Sequence, residues 1–386
     1  MKTGYRSWGR YFSQAHEEHA LHWLQDALPV TSHTLLPHGM GRSYGDSCLN
    51  DGGALLHARG LDRLIAFDDE NGVLRCEAGV TLAAILDFAV PRGWFLPVTP
   101  GTKFVTVGGA IANDVHGKNH VRDGTFGCHV TALELWRSDG SRVICSREEN
   151  AALFSATVGG LGLTGFIGWV ELRLLRVQNA FVDDDSFQCS NLDHCLQLFE
   201  QSRATHQYRV AWIDCLAQGD QLGRGIFSRA NHCNNAWLPT MHRPRKKLSV
   251  PVTFPPHVLN RYTVSAFNAL YYRKLLKQKK SARLDYDAFF YPLDNIHHWN
   301  RIYGPRGFLQ YQCVVTKEPR AALHALLARI AQSGQASFLS VLKELGDVPS
   351  PGMLSFPRKG YTLALDFPNL GVSTLSLLDD LDAIVR

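Results

Sequence analysis

The sequence predicts two α+β domains, on three observations. Its 386 residues suffice for two domains of ordinary size, each burying a core. Short strand-like and helix-like runs alternate without a regular strand–helix–strand rhythm, which argues against a doubly wound parallel sheet. Glycine-rich loops crowd the first half and cease near Val177–Asp185, where the chain turns more acidic and polar. The division is placed there, giving domains 1–178 and 179–386.

Taken in order, Ala15–Ala27 reads as a short helix with His16, His19 and His22 at intervals of three. No compact acidic set accompanies those histidines, so exposed helix polarity is expected and no metal site. Thr34–Leu36 reads as a strand feeding a first glycine loop, Pro37–Asp46. Strands follow at Ala54–His57, Leu64–Phe67 and Leu74–Glu77, separated by Gly, Asp and Asn turns. Over Thr81–Val90, Leu82, Ile85, Leu86 and Ala89 share one helical face, and Pro91–Gly93 ends it. Phe95–Val98 leads into the second loop, Pro100–His120. Thr131–Trp136 and Arg142–Cys145 flank Ser138-Asp139-Gly140 as a hairpin. A third loop, Val158–Gly165, precedes a long strand, Phe166–Val177. In the second half, strands such as Arg209–Ile213, Phe308–Val315 and Tyr361–Asp366 alternate with helices such as Arg320–Gln332.

Composition narrows the class. Apolar content of 45% and charged content of 19% suit a globular protein. A net charge of +5 is too small to imply nucleic acid, and none is expected as partner. Nine scattered cysteines without a C-x-x-C pair point to reduced thiols in a cytoplasmic protein. No apolar run approaches the roughly 20 residues that span a bilayer. Two basic clusters, Arg243–Lys247 and Arg273–Lys280, bracket a centre rich in proline and aromatics (Phe254, Pro255, Pro256, Tyr262, Phe267, Tyr271, Tyr272). Residues 241–280 read either as a solvated loop or as a flap drawn to anionic headgroups, which would make the protein peripheral on an inner membrane.

The loops carry the chemistry. Gly160-Leu161-Gly162-Leu163-Thr164-Gly165 fits G-x-G-x-x-G, but a strand-like run follows it where a dinucleotide fingerprint needs a helix. In Gly39–Asp46, consecutive small residues with Ser43 can form an anion nest, and Arg42 can offset its charge. In Pro100–His120, small residues permit close approach of a ring, and His116 and Lys118 arrive at its edge. Three such loops within about 130 residues suggest one long, phosphate-bearing aromatic ligand, and FAD is the best candidate. Lys118 offers a cation to a reduced flavin or to a substrate phosphate.

Gly39–Asp46, Pro100–His120 and Ala156–Ile167 resemble the FAD-binding domain of the vanillyl-alcohol-oxidase superfamily, and within it the polyprenylphosphoryl-ribose 2-oxidases. The resemblance continues through Val210–Asp214, Leu222–Arg224, Pro292–Asp294, Trp299–Arg301, Tyr303–Pro305, Leu309–Gln312 and Asp366–Pro368, so the second half is expected to be an α+β substrate-binding cap. It implies FAD contacts at Gly41, Arg42, Ser43, Tyr44, Gly101, Thr102, Thr106, Gly108, Gly109, Ala112, Asn113, Val115, His116, Gly117, Gly162, Thr164, Gly165 and Ile167. It implies substrate contacts at Trp212, Gln310, Gln312 and Lys343, with His116, Tyr44 and Lys118 as the catalytic group. Arg42 stands where some members carry the histidine that tethers the flavin, so non-covalent FAD is expected. The family continues with a segment that returns to the flavin domain and brings a lysine towards the ring, and that C-terminal segment is expected to be missing here.

The reading that results is FAD-dependent oxidation of a polyprenylphosphoryl-β-D-ribose-like sugar at C2. The family implies epimerisation to an arabinose donor for an envelope arabinan, with a short-chain NADH-dependent reductase as pathway partner. Two alternatives stay open: a soluble aldonolactone or alditol oxidase on the same fold, and a flavin-binding protein without turnover because of its short C-terminus.

Overall fold

A computed structural model describes residues 3–11, 13–240, 248–256, 258–275 and 278–386. The basic cluster expected at Arg243–Lys247 lies outside these described residues.

The first half builds two main sheets. A four-stranded sheet has the order Thr3–Arg6, Ser13–Ala20, Ala54–His57, Leu35–His38, and its last two pairings are parallel. An antiparallel five-stranded sheet has the order Leu64–Asp68, Val73–Glu77, Phe166–Arg173, Val130–Trp136, Arg142–Ser146. Helix Leu82–Ala89 buries Leu82, Ile85, Leu86 and Ala89 as its periodicity predicts, and the Thr81 hydroxyl caps it by accepting from the Ala84 N–H at 3.2 Å. The strand after Gly165 is confirmed, so the Gly160–Gly165 motif has no dinucleotide-fold context.

The helix expected over Ala15–Ala27 is a strand, Ser13–Ala20. The spacing of three in its histidines matched a helix by coincidence; edge-to-edge pairing with Thr3–Arg6 and Ala54–His57 decides the conformation. His16 is consequently buried rather than exposed, and its Nε2 accepts from the Asn50 N–H at 2.8 Å. The single strand expected over Phe166–Val177 also divides, into Phe166–Arg173 and Leu175–Arg176, the second pairing with a two-residue strand, Trp94–Phe95.

The second half is built on an antiparallel seven-stranded sheet, in the order Lys279–Asp285, Phe181–Cys189, Gly225–His232, Tyr208–Ile213, Ser340–Leu345, Gly360–Pro368, Phe308–Val315, beside a short parallel pair, Leu248–Ser249 with Ile296–His297. Successive side chains of a strand point to opposite faces. On one face Tyr311, Cys313, Leu342, Leu363, Leu365 and Phe367 join the core residues of helices Leu192–Ser202, Pro319–Ser333 and Val372–Val385. The opposite face carries Trp212, Gln310, Gln312, Lys343, Thr362 and Asp366 and turns toward the glycine loops. Between the halves, Lys103 Nζ meets Asp287 Oδ1 at 2.5 Å, both side chains almost fully buried, and the Lys103 N–H donates to Asp294 Oδ2 at 2.9 Å.

Candidate functional site

The three glycine loops converge. Strand Leu35–His38 delivers the first, in which a Cβ on Gly39 would lie 2.4 Å from Thr106 Oγ1 of the second. Gly41 has φ +60°, a conformation that a side chain disfavours. The third loop lies on helix Val107–Ala112, with the Gly159 and Leu161 N–H groups donating to the Ile111 and Ala112 carbonyls, both at 2.9 Å. Gly162 faces Pro37 of the first loop.

None of the N–H groups from Gly39 to Asp46 donates to a backbone carbonyl among the described residues. Arg42 lies 4.0 Å from the Trp8 ring and has no ion-pair partner among them. Its burial lowers its pKa, and Asp294 opposes that shift. A run of unengaged amides beside a partly buried, unpaired guanidinium is what a pyrophosphate would complete. Past it, Gly101 is exposed, and a Cβ there would meet nothing within 4 Å. These residues fit FAD.

Other expected cofactor positions serve the protein itself. The Gly108 N–H donates to the Ala78 carbonyl at 2.8 Å and the Gly109 N–H to Thr106 Oγ1 at 3.1 Å, so these glycines can offer closeness but not donors. Thr102 Oγ1 accepts from the Phe104 N–H at 3.2 Å, Asn113 donates to the Gly109 carbonyl at 2.8 Å, and the Val115 N–H donates to the Ala110 carbonyl at 3.0 Å. The Thr164 hydroxyl meets that of Thr157 at 2.9 Å, Gly165 has φ +147°, and Ile167 pairs with Leu135 in the sheet. Ser43 accepts from the Trp8 N–H through its carbonyl at 2.8 Å.

The polar face of the second sheet meets the second loop at His116. Gln312 Nε2 lies 3.0 Å from His116 Nε2 and 3.1 Å from Thr362 Oγ1, and Lys343 Nζ lies 3.5 Å from His116 Nδ1. The Phe356 ring stacks on the imidazole with centroids 6.1 Å apart. Burial, and then Lys343 and His120, push the His116 pKa well below its ordinary value, so the ring is neutral at neutral pH. Burial lowers Lys343 to about 8. Burial and then Lys343 lower Lys118 to about 7, against the pull of Asp184. The Lys118 ammonium turns to the Phe289 carbonyl and lies 4.3 Å from the Phe289 ring.

Tyr44 forms a second cluster. Its ring meets Phe308 edge-on at 5.4 Å, its hydroxyl contacts Gln310, and Gln310 Nε2 donates to Asp366 Oδ1 at 2.9 Å. Trp212 spends its indole N–H on the Phe338 carbonyl at 3.0 Å and so presents ring surface only. Asp366, Thr362 and Phe356 were absent from the sequence-derived site. Both strands that hold the first two partners were legible, with Gln310 and Gln312 alternating on one and Thr362 and Asp366 on the other. The register that sets Gln310 opposite Asp366 is not.

Asp114 ties the segment after strand Ser340–Leu345 to the second loop. It has φ +39° and accepts from the Gly127 N–H at 2.8 Å, from Ser350 Oγ at 2.5 Å and from Ser355 Oγ. That anchorage holds Phe356 over His116.

A family profile for an FAD binding domain matches residues 17–146. The decaprenylphosphoryl-β-D-ribose oxidase of Mycolicibacterium smegmatis is 36% identical over 86% of this chain and 74% of its own length. An uncharacterised protein from the mprA 5′ region of Streptomyces coelicolor is 34% identical over 78% of this chain and 85% of its own. The L-gulonolactone oxidase of Mus musculus is 31% identical over 43% of this chain and 38% of its own. With glycine loops suited to FAD and similarity that runs through both sheets, the chain is an FAD-dependent oxidoreductase on the α+β vanillyl-alcohol-oxidase fold and belongs to the decaprenylphosphoryl-β-D-ribose oxidase family.

Proposed function

We propose that this chain oxidises the C2 hydroxyl of a polyprenylphosphoryl-β-D-ribose-like sugar to the 2-keto sugar, with FAD held non-covalently. The supporting observation is the meeting of a neutral His116 with the polar face of the second sheet, beside loops that fit the cofactor. When bound, FAD supplies a two-electron hydride acceptor. The alcohol must also lose its O–H proton, and a neutral imidazole can accept it. Gln312 lies against its Nε2 and Lys343 near its Nδ1, so only one of these contacts meets an acceptor nitrogen and that contact must yield for the imidazole to take the proton; Phe356 stacks on its face. Tyr44, fixed by Gln310, offers a hydroxyl to orient the reacting alcohol. Lys118 and Lys343, which have no carboxylate in ion-pair contact among the described residues, provide positive charge for a substrate phosphate.

Non-covalent attachment rests on Arg42 standing where a tethering histidine would be. Acid precipitation should leave all yellow colour in the supernatant; colour in the pellet refutes it. The reduction that completes the epimerisation falls to a short-chain NADH-dependent reductase, and the arabinose product would serve an envelope arabinan.

A lipid-linked substrate also accounts for helix Arg261–Arg273. It exposes Tyr262 at 77% and Leu270 at 72%, next to Arg261, Arg273 and Lys274. An apolar outer face flanked by cations suits peripheral contact with anionic lipid. Among the described residues no helix is long and apolar enough to cross a membrane.

The deciding experiment is anaerobic bleaching of the flavin. A polyprenylphosphoryl ribose should bleach it and an aldonolactone should not. The reverse result establishes the soluble-sugar alternative, and no bleaching with either establishes a flavin-binding protein without turnover.

A further inference from the structure

Asp366 lies on the polar face of the second sheet, in strand Gly360–Pro368, with no exposed surface at 0%. Its Oδ1 accepts from Gln310, while its Oδ2 has no hydrogen-bond partner among the described residues. Among the described residues no lysine or arginine pairs with it. Tyr44 faces it from the first glycine loop, with Arg42 and Asp294 beyond, and Tyr303 faces it from the turn Trp299–Tyr303, with Cys215 beyond. The Tyr303 hydroxyl and Ser340 Oγ are likewise buried without a hydrogen-bond partner among the described residues, and the Ser337 hydroxyl receives the Asp366 N–H at 3.0 Å.

A buried carboxylate without a cation is strongly disfavoured and takes up a proton. Burial, eased by the Gln310 hydrogen bond, accordingly raises the Asp366 pKa to about 8. As a neutral acid it accepts from Gln310 with one oxygen and keeps a proton on the other, fixing the carboxamide without placing a bare charge beside the Tyr44 phenol.

We propose that Asp366 is a positioning residue that sets the Tyr44 hydroxyl through Gln310, coupling the first glycine loop to the sheet of the second half. This rests on the reading above, in which Tyr44 and Gln310 face the reacting sugar. Asparagine is close in shape, accepts from Gln310 in the same way and cannot ionise. Leucine fills the space and accepts nothing.

The test compares wild type, Asp366→Asn and Asp366→Leu, all loaded with FAD, in flavin reduction by a polyprenylphosphoryl ribose from about pH 6 to about pH 9. Wild type should lose kcat above about pH 8. Asp366→Asn should keep kcat within about threefold and lose that alkaline fall, whereas Asp366→Leu should lose about tenfold or more in kcat with FAD content unchanged. Infrared difference spectra between the two pH extremes, taken without substrate, should show a protonated-carboxyl band in wild type that Asp366→Asn lacks.

An inactive Asp366→Asn, a fully active Asp366→Leu, or a wild type without the carboxyl band overturns the proposal and leaves the oxidation reading standing. A wild-type chain whose flavin the sugar does not bleach overturns that reading, and the positioning role falls with it.

Discussion

Asp366, Lys118 and Lys343 share one electrostatic cause: each ionisable group loses water without gaining an opposite charge in contact, so its charged form is disfavoured. For Lys118, lowered to about 7, the consequence has a definite sign. The amine is charged below that pH and neutral above it, so affinity for a phosphate-bearing substrate should weaken as pH rises through about 7 to 8. KM measured across that range checks this, and Lys118→Gln should flatten the dependence. For Asp366 the folded chain keeps its proton up to about pH 8, whereas the unfolded chain releases it near the ordinary carboxylate value of 3.8. Between those values the unfolded state binds fewer protons, so stability falls as pH rises. Asp366→Asn should therefore melt at a higher temperature than wild type near pH 7, with the gap closing toward pH 4. Arg42 makes a different prediction, because its partner is expected to be the cofactor. Arg42→Gln should weaken FAD binding by about tenfold or more while the fold persists, read by fluorescence titration and circular dichroism.

At the scale of elements, the approach of loop to loop matters more than any single contact. A methyl group on Gly39 would need to displace Thr106 Oγ1, which is already capping helix Val107–Ala112. Gly39→Ala should cost about 1–3 kcal/mol by overpacking and lower FAD retention with it, as calorimetry and flavin content would show. Thr106→Ala relieves the crowding but removes the cap, at about 1 kcal/mol. Helix Leu82–Ala89 and strands Ala54–His57 and Phe308–Val315 were readable in the sequence because period and boundary signals agreed. Ser13–Ala20 was not, since its charged and histidine residues carry no apolar alternation and its conformation is imposed by neighbouring strands. Helix Val372–Val385 was not read either, although Leu377, Leu378, Leu381, Ile384 and Val385 recur at helical spacing and pack on the core.

For the whole molecule, the loops that fit the cofactor were legible because unusual residue types announce them locally. His116, Gln312 and Lys343 lie far apart in sequence, and only the pairing order of seven strands brings them together. Resemblance supplied that grouping, but not Asp366, whose significance depends on which residue stands opposite it. The surface yields a prediction of its own. If helix Arg261–Arg273 meets anionic lipid, replacing Tyr262 and Leu270 with serine should abolish co-sedimentation with phosphatidylglycerol vesicles and leave bleaching by a detergent-dispersed substrate intact.

The contact between Lys103 and Asp287 sets how this chain comes apart. Its two members belong to different halves and are sealed from solvent. Separating the halves would break it together with the Thr99–Tyr291, Gln312–His116 and Ser350–Asp114 hydrogen bonds, so each half would lose the partners of polar groups it now buries. Melting should then proceed as one event, with flavin release and loss of the second sheet sharing a midpoint, and cutting the gene in two should yield fragments that precipitate.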